Sequence, residues 1–219
     1  AHFHSPCRRG VYVELPPEDA EQGMCGRLEK SMYGTRDAAA NWEAEYTDVM
    51  IENGFEAGRH SPCIFYHSQR HLRVYVHGDD FVTLGAEADL EWFKQAIAER
   101  LEVKDRGTLG PDDKDLKEIR CLNRIIRWKR NVAGRDRIEY EPDPRHVELI
   151  VRQLGLGGTN AKGLSTPGVK LTADQMANAV ELGNEHITKY RGICMRINYL
   201  AMDRIDIQYA AKEAARHMH

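Results

Sequence analysis

Apolar and β-branched residues flank a polar centre in the stretch Leu72 to Gly85, L-R-V-Y-V-H-G-D-D-F-V-T-L-G, a pattern that predicts strand, sharp turn and strand about His77-Gly78-Asp79-Asp80. Elsewhere the apolar spacing is helical. A helix is predicted from about Ala38 to Asn53, with Trp42, Tyr46, Val49 and Met50 on one face and Gly54 as its stop. A second runs from Glu87 to Leu101, with Leu90, Phe93, Ile97 and Leu101 sharing a face. Asp143-Pro144 opens a third, whose buried stripe is Val147, Ile150, Val151 and Leu154 and whose end is Gly155. Ile187, Tyr190, Cys194, Ile197 and Leu200 mark one more, and Ile207, Ala211, Ala214 and Met218 a last. Shorter β-like runs are Val11 to Leu15, stopped by Pro16-Pro17, then Cys25 to Leu28, and Ser61 to Tyr66 followed by a polar turn from His67 to Arg70. Gly157 to Gly168 reads as a linker. Strands interleaved with amphipathic helices predict an α+β fold, an antiparallel sheet with helices packed on one face.

Composition changes this picture little. The 219 residues, 42% hydrophobic and 30% charged, suit a folded globular chain. There is no apolar run of about 18 residues, so no membrane partner is expected. Cys7, Cys25, Cys63, Cys121 and Cys194 are scattered and never form a C-x-x-C pair, which predicts free thiols. His2, His4 and Cys7 have a zinc-like spacing, but no second cluster completes a tetrahedral set.

Charge adds one local feature. The net charge of −3 makes no global case for nucleic acid, yet Lys117, Arg120, Arg124, Arg127, Lys129, Arg130, Arg135 and Arg137 face only Glu118 and Asp136 in their stretch. A strand carrying its arginines on one face would track phosphates, with Arg120, Arg124, Arg127 and Lys129 as contacts to a nucleic-acid backbone. A solvated edge strand kept soluble by its charges accounts for the same residues.

The chemistry centres on the aspartates. Asp79 and Asp80 place two carboxylates at a hairpin tip, where they repel each other and invite a cation. Mg²⁺ or Mn²⁺ suits such a site, being held by one or two carboxylates together with substrate phosphates and water. A solvated Gly-Asp turn fits the same three residues. Upstream, the Gly34 turn feeds a helix N-terminus beside Lys30 and Arg36, an arrangement open to an anion such as a nucleotide triphosphate and equally to an ordinary capped helix.

The order V-Y-V-E-L-P-P, C-G-R-L-E-K-S-M-Y-G-T-R-D-A-A-A-N-W, G-F with S-P-C-I-F-Y, V-H-G-D-D-F-V-T-L-G and K-D-R-G resembles the reverse transcriptase of copia-type LTR retrotransposon Pol polyproteins. The later L-G-L, A-K-G-L-S-T-P-G, Y-R-G-I-C-M-R-I-N-Y-L-A and D-I-Q-Y-A-A resemble the segment that follows it there. The resemblance implies a polymerase palm with partial fingers over residues 1–141, and a helical thumb or connection segment over 142–219 leading towards an RNase H-like region. It implies an RNA-directed DNA polymerase that joins dNTP to a primer 3′-hydroxyl on an RNA or DNA template, with integrase and RNase H as companions in the polyprotein. Copying in this family takes place in cytoplasmic particles; whether this chain works in cytoplasm or nucleus is not indicated.

Carried over by position, Asp79 and Asp80 match the aspartate pair that holds Mg²⁺ with a third aspartate from an earlier strand, in a two-metal mechanism. Lys30, Tyr33, Gly34 and Arg36 fall in the template and nucleotide loop, and His2 falls where a bulky side chain screens the sugar 2′-hydroxyl. Several positions depart from the family. His77 and Gly78 replace the usual Tyr and its neighbour, Asp37 and Ala39 replace the usual Gln and Pro, and no acidic residue precedes Glu14. The third aspartate is therefore expected upstream of Ala1, and the fragment alone is expected to be inactive. A catalytically silent transposon-derived remnant that binds nucleic acid is the alternative. A viral RNA-dependent RNA polymerase palm, suggested only by Gly-Asp-Asp, is the other.

Overall fold

A computed structural model describes residues 2–130, 134–163, 166 and 171–218, the side chain of His2 excepted, so parts of the expected linker lie outside the described residues. The chain divides into two compact units, Ala1–Arg106 and Gly107–His219.

In the first unit, β1 (Tyr12–Val13) pairs with β2 (Gly26–Arg27), and helix α1 (Ala38–Glu52) follows. Gly54, at φ +83°, supplies the left-handed residue that ends α1. A four-stranded antiparallel sheet comes next: β3 (Glu56–Ala57), β4 (Ile64–His67), β5 (Leu72–His77) and β6 (Asp80–Leu84), in that spatial order. Helix α2 (Glu87–Ala98) closes the unit's regular structure. Residue alternation along β5 buries Leu72, Val74 and Val76 on one face. Trp42, Tyr46, Val49 and Met50 of α1 and Phe93 and Ile97 of α2 join these, with Phe55, Phe65 and Leu101, in one core. Each large apolar side chain fully buried there contributes about 1.5–3 kcal/mol.

Leu101 is buried as predicted but lies beyond the end of α2. His67 is not in a polar turn; it is a buried residue of β4 whose ring centroid lies 5.1 Å from Phe55 and 5.5 Å from Trp92. Arg70 closes this corner, 3.9 Å above the Trp92 ring and 2.8 Å from Asp89.

The second unit holds a three-stranded antiparallel sheet of β7 (Glu118–Cys121), β8 (Arg124–Lys129) and β9 (Arg137–Glu141). Among the described residues the α-helices that follow are α3 (Pro144–Gln153), α4 (Ala173–Ala177), α5 (Asn184–Ala201) and α6 (Gln208–Ala215). Helix α5 packs against both α3 and α6, burying Ile193, Cys194, Leu200 and Ala211. The stripe on α3 is less buried than its periodicity predicts, since Val147 and Leu154 are 42% and 48% exposed. Its contact with α5 runs through His146, whose ring centroid lies 4.6 Å from that of Tyr199.

Asp143 caps α3 as predicted. Its carboxylate accepts from the Arg145 backbone N–H at 3.1 Å and pairs with the Arg145 guanidinium at 2.6 Å. The guanidinium hydrogen bonds hold this carboxyl at about 2, against the ordinary 3.8. A carboxyl depressed by folding stabilises the native state above its unfolded pKa and ceases to do so as pH falls through the folded value. Acid titration is therefore expected to lose about 1–2 kcal/mol from this group between roughly pH 4 and pH 2, the exposure of Arg145 moderating the effect. In Asp143→Asn that increment should be missing from denaturant midpoints measured across the same window. An unchanged acid profile in the variant would refute the assignment.

Candidate site at the aspartate hairpin

Strands β5 and β6 are joined by a loop of Gly78 and Asp79, closed by the His77 and Asp80 pair. Gly78 has φ +62° at the first loop position, the requirement of a type II′ turn, and this is why glycine precedes the aspartates. His77, Asp79 and Asp80 are all exposed, so both carboxylates face solvent at the tip. The Tyr75 hydroxyl lies 3.3 Å from His77 Nδ1.

The tip is anchored from behind. Trp42 Nε1 of α1 donates to the Gly78 carbonyl oxygen at 2.7 Å, and the Trp42 ring meets Tyr46 and Phe81 edge-on at 5.6 and 6.5 Å. The sequence pattern marks Trp42 as core; its hydrogen bond to the turn has no local signal.

The loop from Lys30 to Asp37 is held on the same scaffold. Ser31 N–H donates to the Ser5 carbonyl at 2.9 Å, Cys7 N–H to the Glu29 carbonyl at 2.8 Å, and Asn41 Nδ2 to the buried Ser31 hydroxyl at 3.0 Å. Lys30 Nζ reaches the His4 carbonyl at 3.4 Å, and the His4 ring lies 6.4 Å from Trp42. Lys30, Tyr33, Gly34 and Arg36 are exposed. At the N-terminus of α1 stands Asp37, whose carboxylate pairs with Arg9 at 2.9 Å and is held below the usual range chiefly by that guanidinium. The group standing at this helix end is thus the chain's own carboxylate, itself paired with a cation. His2 lies in a short 3₁₀ turn, His2–His4, that leads into this segment.

Two exposed carboxylates suit a cation held mainly by water and phosphate oxygens. They do not make the three-carboxylate set of a two-metal centre. Among the described residues no group of three or more His, Cys, Asp or Glu side chains is gathered to hold a metal ion.

Three of the four basic residues expected to contact a backbone share one face of the second unit's sheet: Arg120 stands opposite Ile125, and Arg127 and Lys129 lie on the same side of β8 as Ile125, whereas Arg124 lies on the other. The period of two along β8 sets Arg124 and Arg127 on opposite sides. Arg124 pairs with Asp203 at 3.0 Å, and Asp203 also accepts from the Tyr140 hydroxyl at 2.9 Å. Arg127 pairs with Glu118 at 2.6 Å and, closely, with Glu141. Lys117 is tied to the carbonyls of Gly110 and Asp112. Arg120 and Lys129 are exposed, and no carboxylate pairs with either among the described residues.

Residues 1–111, just over half of the chain, match the family described as reverse transcriptase (RNA-dependent DNA polymerase), and the chain belongs to that family. Its relatives include the truncated transposon Ty1-A Gag-Pol polyprotein of Saccharomyces cerevisiae, 22% identical over 222 residues that cover 100% of this chain and 18% of the relative. The transposon Ty1-DR4 Gag-Pol polyprotein of the same yeast is 22% identical over 223 residues, covering 100% of this chain and 14% of the relative. The chain thus spans less than a fifth of the length of these relatives. No solved structure matches it. No helix among the described residues is long and apolar enough to cross a membrane.

Proposed function

We propose that this reverse-transcriptase domain binds nucleic acid through the Lys30 to Asp37 loop, and that the chain alone does not catalyse nucleotidyl transfer. The observation that carries the second half of this reading is the tip itself. Asp79 and Asp80 are exposed, and no third carboxylate joins them among the described residues. Lys30 and Arg36, on a loop tied through His4 and Trp42 to the tip, supply charge for a phosphate backbone. Arg120 and Lys129 supply more in the second unit.

Binding of a labelled RNA–DNA primer–template, followed by anisotropy, is expected to weaken with salt. Lys30→Ala and Arg36→Ala should each lower the slope of log affinity against log salt by about 1. Primer extension with dNTPs and either Mg²⁺ or Mn²⁺ should yield no product above that of Asp79→Asn/Asp80→Asn. Absence of binding would overturn the reading. Extension that this double substitution abolishes would instead favour catalysis, in which Asp79 and Asp80 hold the cation with dNTP phosphates and His2 and Tyr33 border the nucleotide. The pairing of two carboxylates at an anchored tip supports that second reading. In either case residues 142–219 would act as a thumb or connection segment within a longer Gag-Pol chain.

A further inference from the structure

We infer that residues 178–183 are a cleavage site for an endopeptidase whose pocket takes a small apolar side chain, and that the bond cut is the one between Val180 and Glu181. The stretch joins α4 to α5, and every residue over 171–186 is exposed. Val180 is 90% exposed, the most of any large apolar side chain among the described residues. Among those residues Val180, Glu181 and Leu182 make no backbone hydrogen bond. The chain on either side is closed, with the Ala179 N–H donating to the Met176 carbonyl at 3.3 Å and the His186 N–H to the Gly183 carbonyl at 2.8 Å.

An enzyme that holds its substrate as an added strand needs free main-chain groups for affinity and alternate side chains for its pockets. Chain already bound into a helix or sheet must open first, and the free energy of opening slows the cut in proportion. Val180, Glu181 and Leu182 have nothing to open. Helix α4 before them has 5 residues and none buried, too short to hold itself in water, so the extended stretch lengthens readily upstream. In that extended form Val180 and Leu182 stand on one side as two apolar anchors. Other exposed segments lack one of these properties. Residues 18–23 form an exposed loop without a large apolar side chain. Ile205, 80% exposed, sits in a 3₁₀ turn, Ile205–Ile207, where the Ile207 N–H donates to the Arg204 carbonyl at 3.2 Å. Hydrolysis adds water across the Val180–Glu181 peptide bond and leaves a carboxylate on Val180 and an amine on Glu181. The C-terminal piece stays in place. Helix α5 packs on α3, which precedes the cut, and Asp203 keeps Arg124 at 3.0 Å and the Tyr140 hydroxyl at 2.9 Å. The product is a nicked chain that remains assembled.

The test treats the 219-residue chain with a trace of elastase, whose specificity pocket is small, and follows intact mass over time. The first products are expected to be residues 1–180 and 181–219, eluting together from a sizing column and parting only in denaturant. Val180→Ala, still small and apolar, should be cut at the same bond. Val180→Asp, which offers a charge to an apolar pocket, should slow the cut at that bond at least about tenfold. Because the side chain is exposed, the same substitution should leave the urea midpoint unchanged, which separates a lost site from an altered fold. A first cut at another bond, no cut, or a Val180→Asp chain cut between residues 180 and 181 as fast as the parent would overturn the site. Fragments that separate without denaturant would overturn the retention of the α5 and α6 piece. Strand binding enters none of these readouts, so the result is independent of the nucleic-acid reading.

Discussion

Trp42→Ala is expected to destabilise the first unit by about 3–5 kcal/mol, the loss typical of emptying a large aromatic site in a packed core. Trp42 is 5% exposed and touches Tyr46 and Phe81, so the cavity opens where α1 meets β6. Trp42→Phe separates the two roles of the residue. It keeps most of the ring volume but removes the donor to Gly78, and it should cost about 1–2 kcal/mol, since the freed carbonyl lies at an exposed turn and can take water instead. Urea titrations should show a lower midpoint for both variants with little change in slope. Should Trp42→Phe prove as damaging as Trp42→Ala, ring packing alone would not describe the site. Should it be neutral in stability and in strand binding, the indole hydrogen bond would not be what positions the tip.

Arg124→Ala is expected to act on stability rather than on nucleic acid. Its guanidinium pairs with Asp203, and the two side chains are 20% and 12% exposed. Removing one member of a largely buried pair leaves a carboxylate with only the Tyr140 hydroxyl to satisfy it, at a cost of about 2–4 kcal/mol. Arg124→Leu/Asp203→Leu, which removes both charges, should come back to within about 1 kcal/mol of the parent. The salt dependence of strand binding should be unchanged in Arg124→Ala, whereas Arg120→Ala or Lys129→Ala should lower its slope by about 1. A reduced slope in Arg124→Ala at unchanged stability would restore it to the nucleic-acid surface.

The contrast between Arg124 and Arg120 shows what a one-dimensional reading can reach. Both stand in the same basic stretch, and their local sequence treats them alike. Only the fold brings Asp203, 79 residues on, against Arg124 and leaves Arg120 in solvent. The same holds for His67, polar by composition yet enclosed by Phe55 and Trp92, and for the bond from Trp42 to a turn 36 residues away. The half-exposed stripe of α3 belongs with these, because periodicity reports which face is apolar and not how much of it finds a partner. The β7–β8 turn at Leu122 and Asn123 was likewise illegible, since both residues adopt positive φ with no glycine to announce it.

The features the sequence determined by itself are those set within a few residues of chain. They are the Gly78 turn that raises Asp79 and Asp80, the core face of α1 and its Gly54 stop, the apolar stripe of α2, the Asp143 cap, and the order of blocks that marks a reverse transcriptase. These rest on backbone conformational preference and side-chain periodicity, which are properties of neighbours in sequence. The tertiary structure alone decided which charges are neutralised, which polar residues are buried, and what holds the aspartate tip. Those depend on the partners that distant segments bring within hydrogen-bonding reach, and no local pattern encodes them.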